Sequence, residues 1–399
     1  MKSEVIIREA SAFDADDVFQ LESVAFGGRH SVDECSSAPR LGGVVSHKIV
    51  EYAGTDSAVI ATAKVYGLNV TASDRGSRVL YGGGDIAFSP CHQGQGTFRR
   101  LFEELLTDAS EMAAHYFGGV PSQARIYGRF ELAPVASFNC WEFNPAELKI
   151  VSGSPYPLDL REVRYEDSID LLIERYRVFA HQVPGSVHRP DDWWSSPALM
   201  YGRFQVEASD SLFAVVGKTS FMTFVQRDSF IEVLDFCATQ MDEVAQLLVY
   251  LGRLQLADKV VLRVPCSVRP ELLLDNPSAG SLVERVNSLW LRPIAASRIL
   301  NDRSWECDGD FVIEVTDSVG ISDGRWRVNV NSGEVAVEET LAAPDLIVPA
   351  SRLAQLDLGY CSASDLVAYG LATKGSRDVL GIIDLMFGKS RVPFSVSSY

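Results

Sequence analysis

Two glycines between a short apolar run and a long amphipathic stretch are the first residues of this 399-residue sequence whose spacing could do chemistry. Asp85-Ile86-Ala87-Phe88 reads as the end of a strand, stopped by Pro90, which has no N–H to give to a ladder. Gln93-Gly94-Gln95-Gly96-Thr97 follows. From Phe98 onward apolar residues recur at Leu101, Phe102, Leu105, Leu106, Ala109, Met112, Ala113 and Tyr116, the spacing of one face of a helix of about five turns. A helix opening out of Gly94 and Gly96 leaves its first N–H groups unpaired at the positive end of the macrodipole, which makes an anion seat. Lacking Cβ atoms, the two glycines let a pyrophosphate approach the main chain, and Gln93 and the Thr97 hydroxyl are further donors. The spacing excludes two uses of such a seat. The third glycine of a dinucleotide fingerprint would fall where Arg99 stands, and no lysine follows Gly96 as a nucleoside-triphosphate loop requires. An ordinary strand-to-helix turn fits the same residues.

Composition narrows the partners. With 36 basic and 53 acidic residues the chain carries a formal charge of −17, a field that repels nucleic acid and anionic membranes and suits an amine. The opening MKSEVIIREA has no basic, apolar leader, and no apolar run approaches the roughly 18 residues of a membrane span, so a cytoplasmic protein is expected. Seven cysteines without a C-x-x-C pair read as reduced thiols. The six histidines show no metal-binding spacing, so no metal is expected.

The elements that must position the glycine turn form an α+β unit. Residues 5–7 predict a strand. Residues 11–26 predict a helix capped by Ser11 or Asp14, with Val18, Leu21, Val24 and Ala25 inward. Residues 27–43 are a polar, glycine-rich candidate lid; strands are predicted at 44–52, 58–65 and 79–88, and another at 125–130 after the helix. Periodicity breaks at 152–157. A second unit repeats the plan, with a helix at 168–181, strands at 212–216, 220–225 and 229–236, a helix at 241–256 and a strand at 259–264. No glycine lies between Asp235 and Leu251, so this copy cannot seat a phosphate and reads as a scaffold. A third unit begins near residue 292 with a meander at 311–315, 324–330 and 334–337, turned at Asn331-Ser332-Gly333. Short helices follow at 351–356, 362–369 and 377–387. The apolar, proline-bearing residues 391–399 are expected to dock rather than trail.

Gln93-Gly94-Gln95-Gly96-Thr97-Phe98 resembles the acyl-CoA pyrophosphate loop of GNAT N-acyltransferases, with Phe98 where that pattern has glycine or alanine. Together with Ile126-Tyr127-Gly128-Arg129-Phe130, the segment 182–190 (QVPGSVHRP), Ser288-Leu289-Trp290-Leu291-Arg292, and the segments 344–346 and 356–359, it resembles the enhanced-intracellular-survival (Eis) family over nearly the whole chain. The resemblance implies two tandem GNAT-type domains, at 1–155 and 156–291, and a sterol-carrier-like domain at 292–399. It also implies a hexamer and acetyl transfer from acetyl-CoA to a small-molecule amine such as an aminoglycoside. Carried over, Ile86 and Phe88 lie on the pantetheine strand, Gln93, Gly94, Gly96 and Thr97 on the pyrophosphate loop, and Ser122 at a further CoA contact. Tyr127 takes the general-acid position and the α-carboxylate of Tyr399 that of general base. The loop here lacks the family's arginines, Ser398 is not an acid, and the lid carries Arg29, His30 and Asp33 without a tryptophan. A different acceptor amine or a hydroxyl, a longer acyl donor, and a non-catalytic binder of an apolar ligand remain open.

Overall fold

The computed structural model describes residues 5–27, 43–53, 59–92, 96–151, 158–196, 200–201, 204–206, 210–254, 257–388 and 392–397. Of the candidate lid at 27–43, residues 28–42 lie outside them. The first unit starts with β1 (Val5–Glu9) and α1 (Ala15–Phe26), joined by a 3₁₀ turn, Ala12–Asp14, which Ser11 and Asp14 close with a capping box. Val18 and Leu21 face inward as the spacing predicts. Val24 and Ala25 are exposed instead, and Glu22 takes the buried place because Lys64 reaches its carboxylate at 3.0 Å.

β2 (Val44–Tyr52), β3 (Ala61–Thr71) and β4 (Ser77–Phe88) follow as antiparallel neighbours. Their side chains alternate between two layers, Val65 and Tyr81 on one face and Leu68, Val70 and Leu80 on the other. The helix after Gly96, α2 (Thr97–Glu111), is shorter than its apolar spacing predicts. Ala113 turns left-handed at φ 55°, Met112 is exposed, and Tyr116–Gly119 is a strand, β5, whose Tyr116 and Phe117 enter opposite layers. The run from 98 to 116 therefore joins a period near 3.6 to a period of 2, and the second was hidden in the first. A short helix, α3 (Ala124–Tyr127), then leads to β6 (Ala133–Phe143).

The second unit contains β7 (Arg161–Arg164), α4 (Ile169–Gln182), β8 (Leu212–Val216), β9 (Phe221–Arg227), β10 (Phe230–Cys237), α5 (Met241–Gly252) and β11 (Lys259–Pro265). It ends in β12 (Gly280–Pro293), which crosses back between β5 and β6, while β6 also pairs with β11. One twelve-stranded sheet results, in the order β1-β2-β3-β4-β5-β12-β6-β11-β10-β9-β8-β7. Gly118 is required at this joint, since a Cβ there would lie 2.1 Å from the Trp290 carbonyl oxygen.

The third unit opens with α6 (Ala296–Asn301). It continues with β13 (Gly309–Thr316), β14 (Gly324–Asn331), β15 (Glu334–Glu339), β16 (Leu346–Pro349), α7 (Ala350–Leu358), α8 (Ala363–Ala368), β17 (Thr373–Lys374) and α9 (Leu380–Phe387). The predicted hairpin turn is present, with Ser332 and Gly333 both at positive φ, as a type I′ turn demands. Asp357, fully buried at the end of α7, accepts from Arg78 of β4 at 3.0 and 3.1 Å, Arg303 at 2.7 Å and the Tyr116 hydroxyl at 2.7 Å. Burial alone would raise its pKa, but Arg78 and Arg303 outweigh that and hold the carboxyl below its ordinary range.

Replacing Asp357 by Asn leaves buried Arg303 without counter-charge and Arg78 with Asp74 alone, and is expected to cost about 3–5 kcal/mol in urea unfolding. By contrast Arg177→Ala, which removes an exposed pair with Asp191, should cost about 0.5 kcal/mol or less. Equal losses would contradict the assignment. A pH dependence follows from two histidines. Burial and Lys64 push His47 down to about 4, and burial and His181 push His188 down to about 4. The fold thus holds neutral imidazoles, a stabilisation complete above the unfolded value of about 6.5 and lost as pH falls toward 4. Tm should fall over that window, and less steeply in the variant combining His47→Gln with His188→Gln; identical slopes would contradict it.

Candidate active site

β4 and β5 pair only through Leu80–Gly82 and Tyr116–Gly118. Beyond Gly82 the strands separate, so that residues 83–88 have no strand on that side among the described residues. The β3–β4 register slips between Thr62 and Lys64, opposite Asp85, whose φ of 47° marks a bulge. The result is an open ladder edge facing the first turn of α2. Ile86 and Phe88 lie on this edge, both partly buried against the α2 layer. Gly96 caps α2 at φ 84°, a conformation that favours glycine, and no side chain caps the helix among the described residues. Thr97 is buried in the first turn, while Ser122 is exposed in the turn before α3. Gln93 and Gly94 lie outside the described residues. Arg99 makes an exposed pair with Glu103, and Arg100 donates to the Val5 carbonyl, so both read as surface.

Tyr127 was expected on a strand at 125–130. It closes the short helix α3, and Gly128–Phe130 continues as a 3₁₀ turn. The aromatic spacing reads as a strand in isolation, but the backbone is folded by packing onto α2: Tyr127 meets Phe98 edge-on at 5.7 Å and Phe102 at 5.9 Å. Phe98 also contacts Phe88 at 5.2 Å and Phe130 at 5.7 Å. Thus the residue that breaks the glycine pattern joins the strand edge to the phenol, a role not apparent from the sequence. Burial pushes the Tyr127 phenol up, so it keeps its proton at neutral pH, and its hydroxyl has no hydrogen-bond partner among the described residues. The segment is braced from the third unit. Fully buried Arg292 donates to the Phe130 carbonyl at 3.1 Å and pairs with Asp317, and Glu131 accepts from Ser318 and Ser351.

The opposite face of β3 and β4 carries a polar cluster that sequence reading missed. Lys64 lies between Glu22 at 3.0 Å and Asp85 at 3.1 Å, and the Tyr66 hydroxyl donates to Asp85 at 3.3 Å. Burial would lower the Lys64 ammonium, yet the two carboxylates hold it above its ordinary value. The available signal was a lysine at an inward position of an apolar strand, a place that demands a buried counter-ion. Against this face, too, lies the segment 392–397, which docks as expected. Phe394 and Val396 enter one core with Tyr66, Leu68 and Leu80, and Ser397 is buried. Tyr399 lies outside the described residues. Among the described residues there is no group of three or more His, Cys, Asp or Glu able to hold a metal ion, and no helix long and apolar enough to cross a membrane.

Comparison with known proteins matches residues 6–135 to the acetyltransferase (GNAT) domain and residues 296–395 to the sterol carrier protein domain. An uncharacterized N-acetyltransferase of Streptomyces griseus is 25% identical over 330 residues, 77% of this chain and 79% of that protein. Among solved structures, Eis1 from Mycobacterium abscessus superposes with a TM-score of 0.84 at 21% identity, covering 99% of this chain and 100% of its own. A GCN5-related N-acetyltransferase from Anabaena variabilis superposes equally, at 0.84 and 16% identity, over 99% of this chain and 100% of its own. These whole-length superpositions identify the fold, a mixed α/β arrangement of GNAT-type units followed by a sterol-carrier unit. The chain is an acyltransferase built on a GNAT acetyltransferase domain with a C-terminal sterol carrier protein domain, on the fold that Eis1 has.

Proposed function

We propose that the protein transfers an acetyl group from acetyl-CoA to the amine of a small molecule. The observation that carries this reading is the convergence of Phe88, Phe98 and Tyr127 where the bare edge of β4 meets the open end of α2. An extended pantetheine arm would find unpaired backbone groups along residues 83–88, beside Ile86 and Phe88. The main-chain amides at Gly96 and Thr97, with Gln93 and Gly94 from the loop, would take the pyrophosphate, and Ser122 a further contact on the donor. Because the loop lacks arginines, peptide dipoles rather than ion pairs carry most of that binding.

In the reaction the acceptor nitrogen attacks the thioester carbonyl, the C–N bond forms and the C–S bond breaks. Tyr127 gives its proton to the departing thiolate and regains one from solvent before the next turnover. The acceptor's surplus proton passes to the α-carboxylate of Tyr399, or through water to it, and then to solvent. A carboxylate with an ordinary pKa near 3.5 is a weak base for an ammonium near 10, so the acceptor loses its first proton to solvent and attacks as the neutral amine. Three units follow, the donor unit at 1–155, a scaffold unit at 156–291 and, at 292–399, the unit that delivers the base. The resemblance alone carries the hexamer, and the opening residues and unpaired cysteine spacing carry the cytoplasmic setting.

Incubation of the protein with acetyl-CoA and a panel of diamines, polyamines and aminoglycosides should give products heavier by one acetyl group. Tyr127→Phe should lower kcat at least about a hundredfold while the Kd for acetyl-CoA, read by calorimetry, stays within about twofold. Near-full turnover by the Phe variant would overturn the role of Tyr127. No heat with acetyl-CoA would overturn the reaction.

A further inference from the structure

The segment 182–190 lies apart from the donor edge and from Tyr127, yet it is bonded on both sides. It is anchored to β3: Gly185 N–H donates to the Thr71 carbonyl at 2.8 Å, Thr71 N–H to the Ser186 carbonyl at 3.1 Å, and His188 N–H to the Asn69 carbonyl at 2.8 Å. Its outer side meets residues 392–397. Phe394 N–H donates to the Pro184 carbonyl at 2.8 Å, and across the segment Ser137 N–H donates to the Pro393 carbonyl at 3.0 Å. Gly185, at φ 82°, has no room for a side chain, since a Cβ would lie 2.8 Å from Pro393 Cβ and 3.0 Å from Phe394 N.

The loop ends in a buried charge. Arg189 gives both terminal nitrogens to Asp235 of β10 at 2.8 Å, and its remaining Nε–H points to the Ser397 hydroxyl at 3.0 Å. The Tyr176 hydroxyl, which donates to the Val187 carbonyl at 2.7 Å, also lies 3.1 Å from Ser397, and the guanidinium rests over the Tyr176 ring. Burying an arginine and an aspartate is costly, and an apolar pair would fill the same space at less expense. What the ionic pair adds is a donor of fixed direction, spent on a residue two positions before Tyr399.

We propose that residues 184–189 are a receptor for residues 392–397, and that Gly185 and Arg189 are positioning residues for acetyl transfer. They act through the docked segment and touch neither donor nor acceptor. This rests on the reading of Tyr399 as the base and gives the second unit, through Asp235, a part in the reaction.

Gly185→Ala tests it, because the added methyl must push Pro393 and Phe394 away. The Phe394 amide should then exchange with solvent at least about tenfold faster. Turnover should fall about a hundredfold, as expected for a displaced reacting group, with the acetyl-CoA Kd unchanged. Ser397→Ala, which removes one hydroxyl and keeps the fold, should lower kcat about threefold at the same Kd, equivalent to part of one hydrogen bond. Wild-type kcat in both variants, or a parallel loss of kcat and acetyl-CoA affinity, would overturn the proposal. If the unaltered protein acetylates no amine, the reading of the site fails. The dock is then decided by exchange alone, and an unchanged Phe394 rate in Gly185→Ala overturns it.

Discussion

The charge on Asp357 is the constraint around which the first and third units are arranged. It sits at the end of α7 without solvent contact, and its partners come from β4, from β5 and from the link after α6. A buried carboxylate is tolerated only when every oxygen is satisfied, so β4 and β5 must hold Arg78 and Tyr116 at one place. That place fixes how the two strands pair at Leu80–Gly82 before they diverge. The open edge that makes the site follows from this junction.

The same device recurs at the other joints. Arg292–Asp317 ties the end of β12 to the third unit and holds the turn after Tyr127, while Arg189–Asp235 ties the loop after α4 to β10 and to Ser397. Such pairs contribute little net stability against an apolar core, but separating one costs several kcal/mol, so they penalise every arrangement except the native one. A chain of three units needs that, because apolar faces alone would accept many dockings. The buried ion pairs therefore set the geometry on which the chemistry depends, although Arg189 and Asp357 stand in no proposed contact with substrate.

How much of this was legible depended on whether a signal was local. The glycine turn, α2, strands β8 to β11 of the second unit and the Ser332-Gly333 hairpin follow from period and turn chemistry within a few residues, whereas β7 and β12 were not read. β5 was hidden because Met112, Ala113 and Tyr116 continue the helical spacing of α2 by coincidence, and only the left-handed Ala113 and the sheet it feeds end the helix. The segment around Tyr127 reads as a strand because Ile126, Tyr127 and Phe130 are β-branched or aromatic; its helical turn comes from Phe98, Phe102 and the Arg292 bond to Phe130, all distant in sequence. Nor could spacing reveal the return of β12 between β5 and β6, which makes one sheet of two units. The Glu22–Lys64–Asp85 cluster was within reach, since a lysine inside an apolar strand asks for a counter-ion.

The central claim concerns where the thioester sulfur sits relative to one phenol. A crystal structure of the protein with CoA tests it most directly. The pantetheine arm should lie along residues 83–88, the pyrophosphate on the amides at residues 96–98, and the thiol within hydrogen-bond reach of the Tyr127 hydroxyl, about 3.3 Å. CoA bound elsewhere, or with its thiol turned away from Tyr127, would contradict the assignment of that residue as the acid.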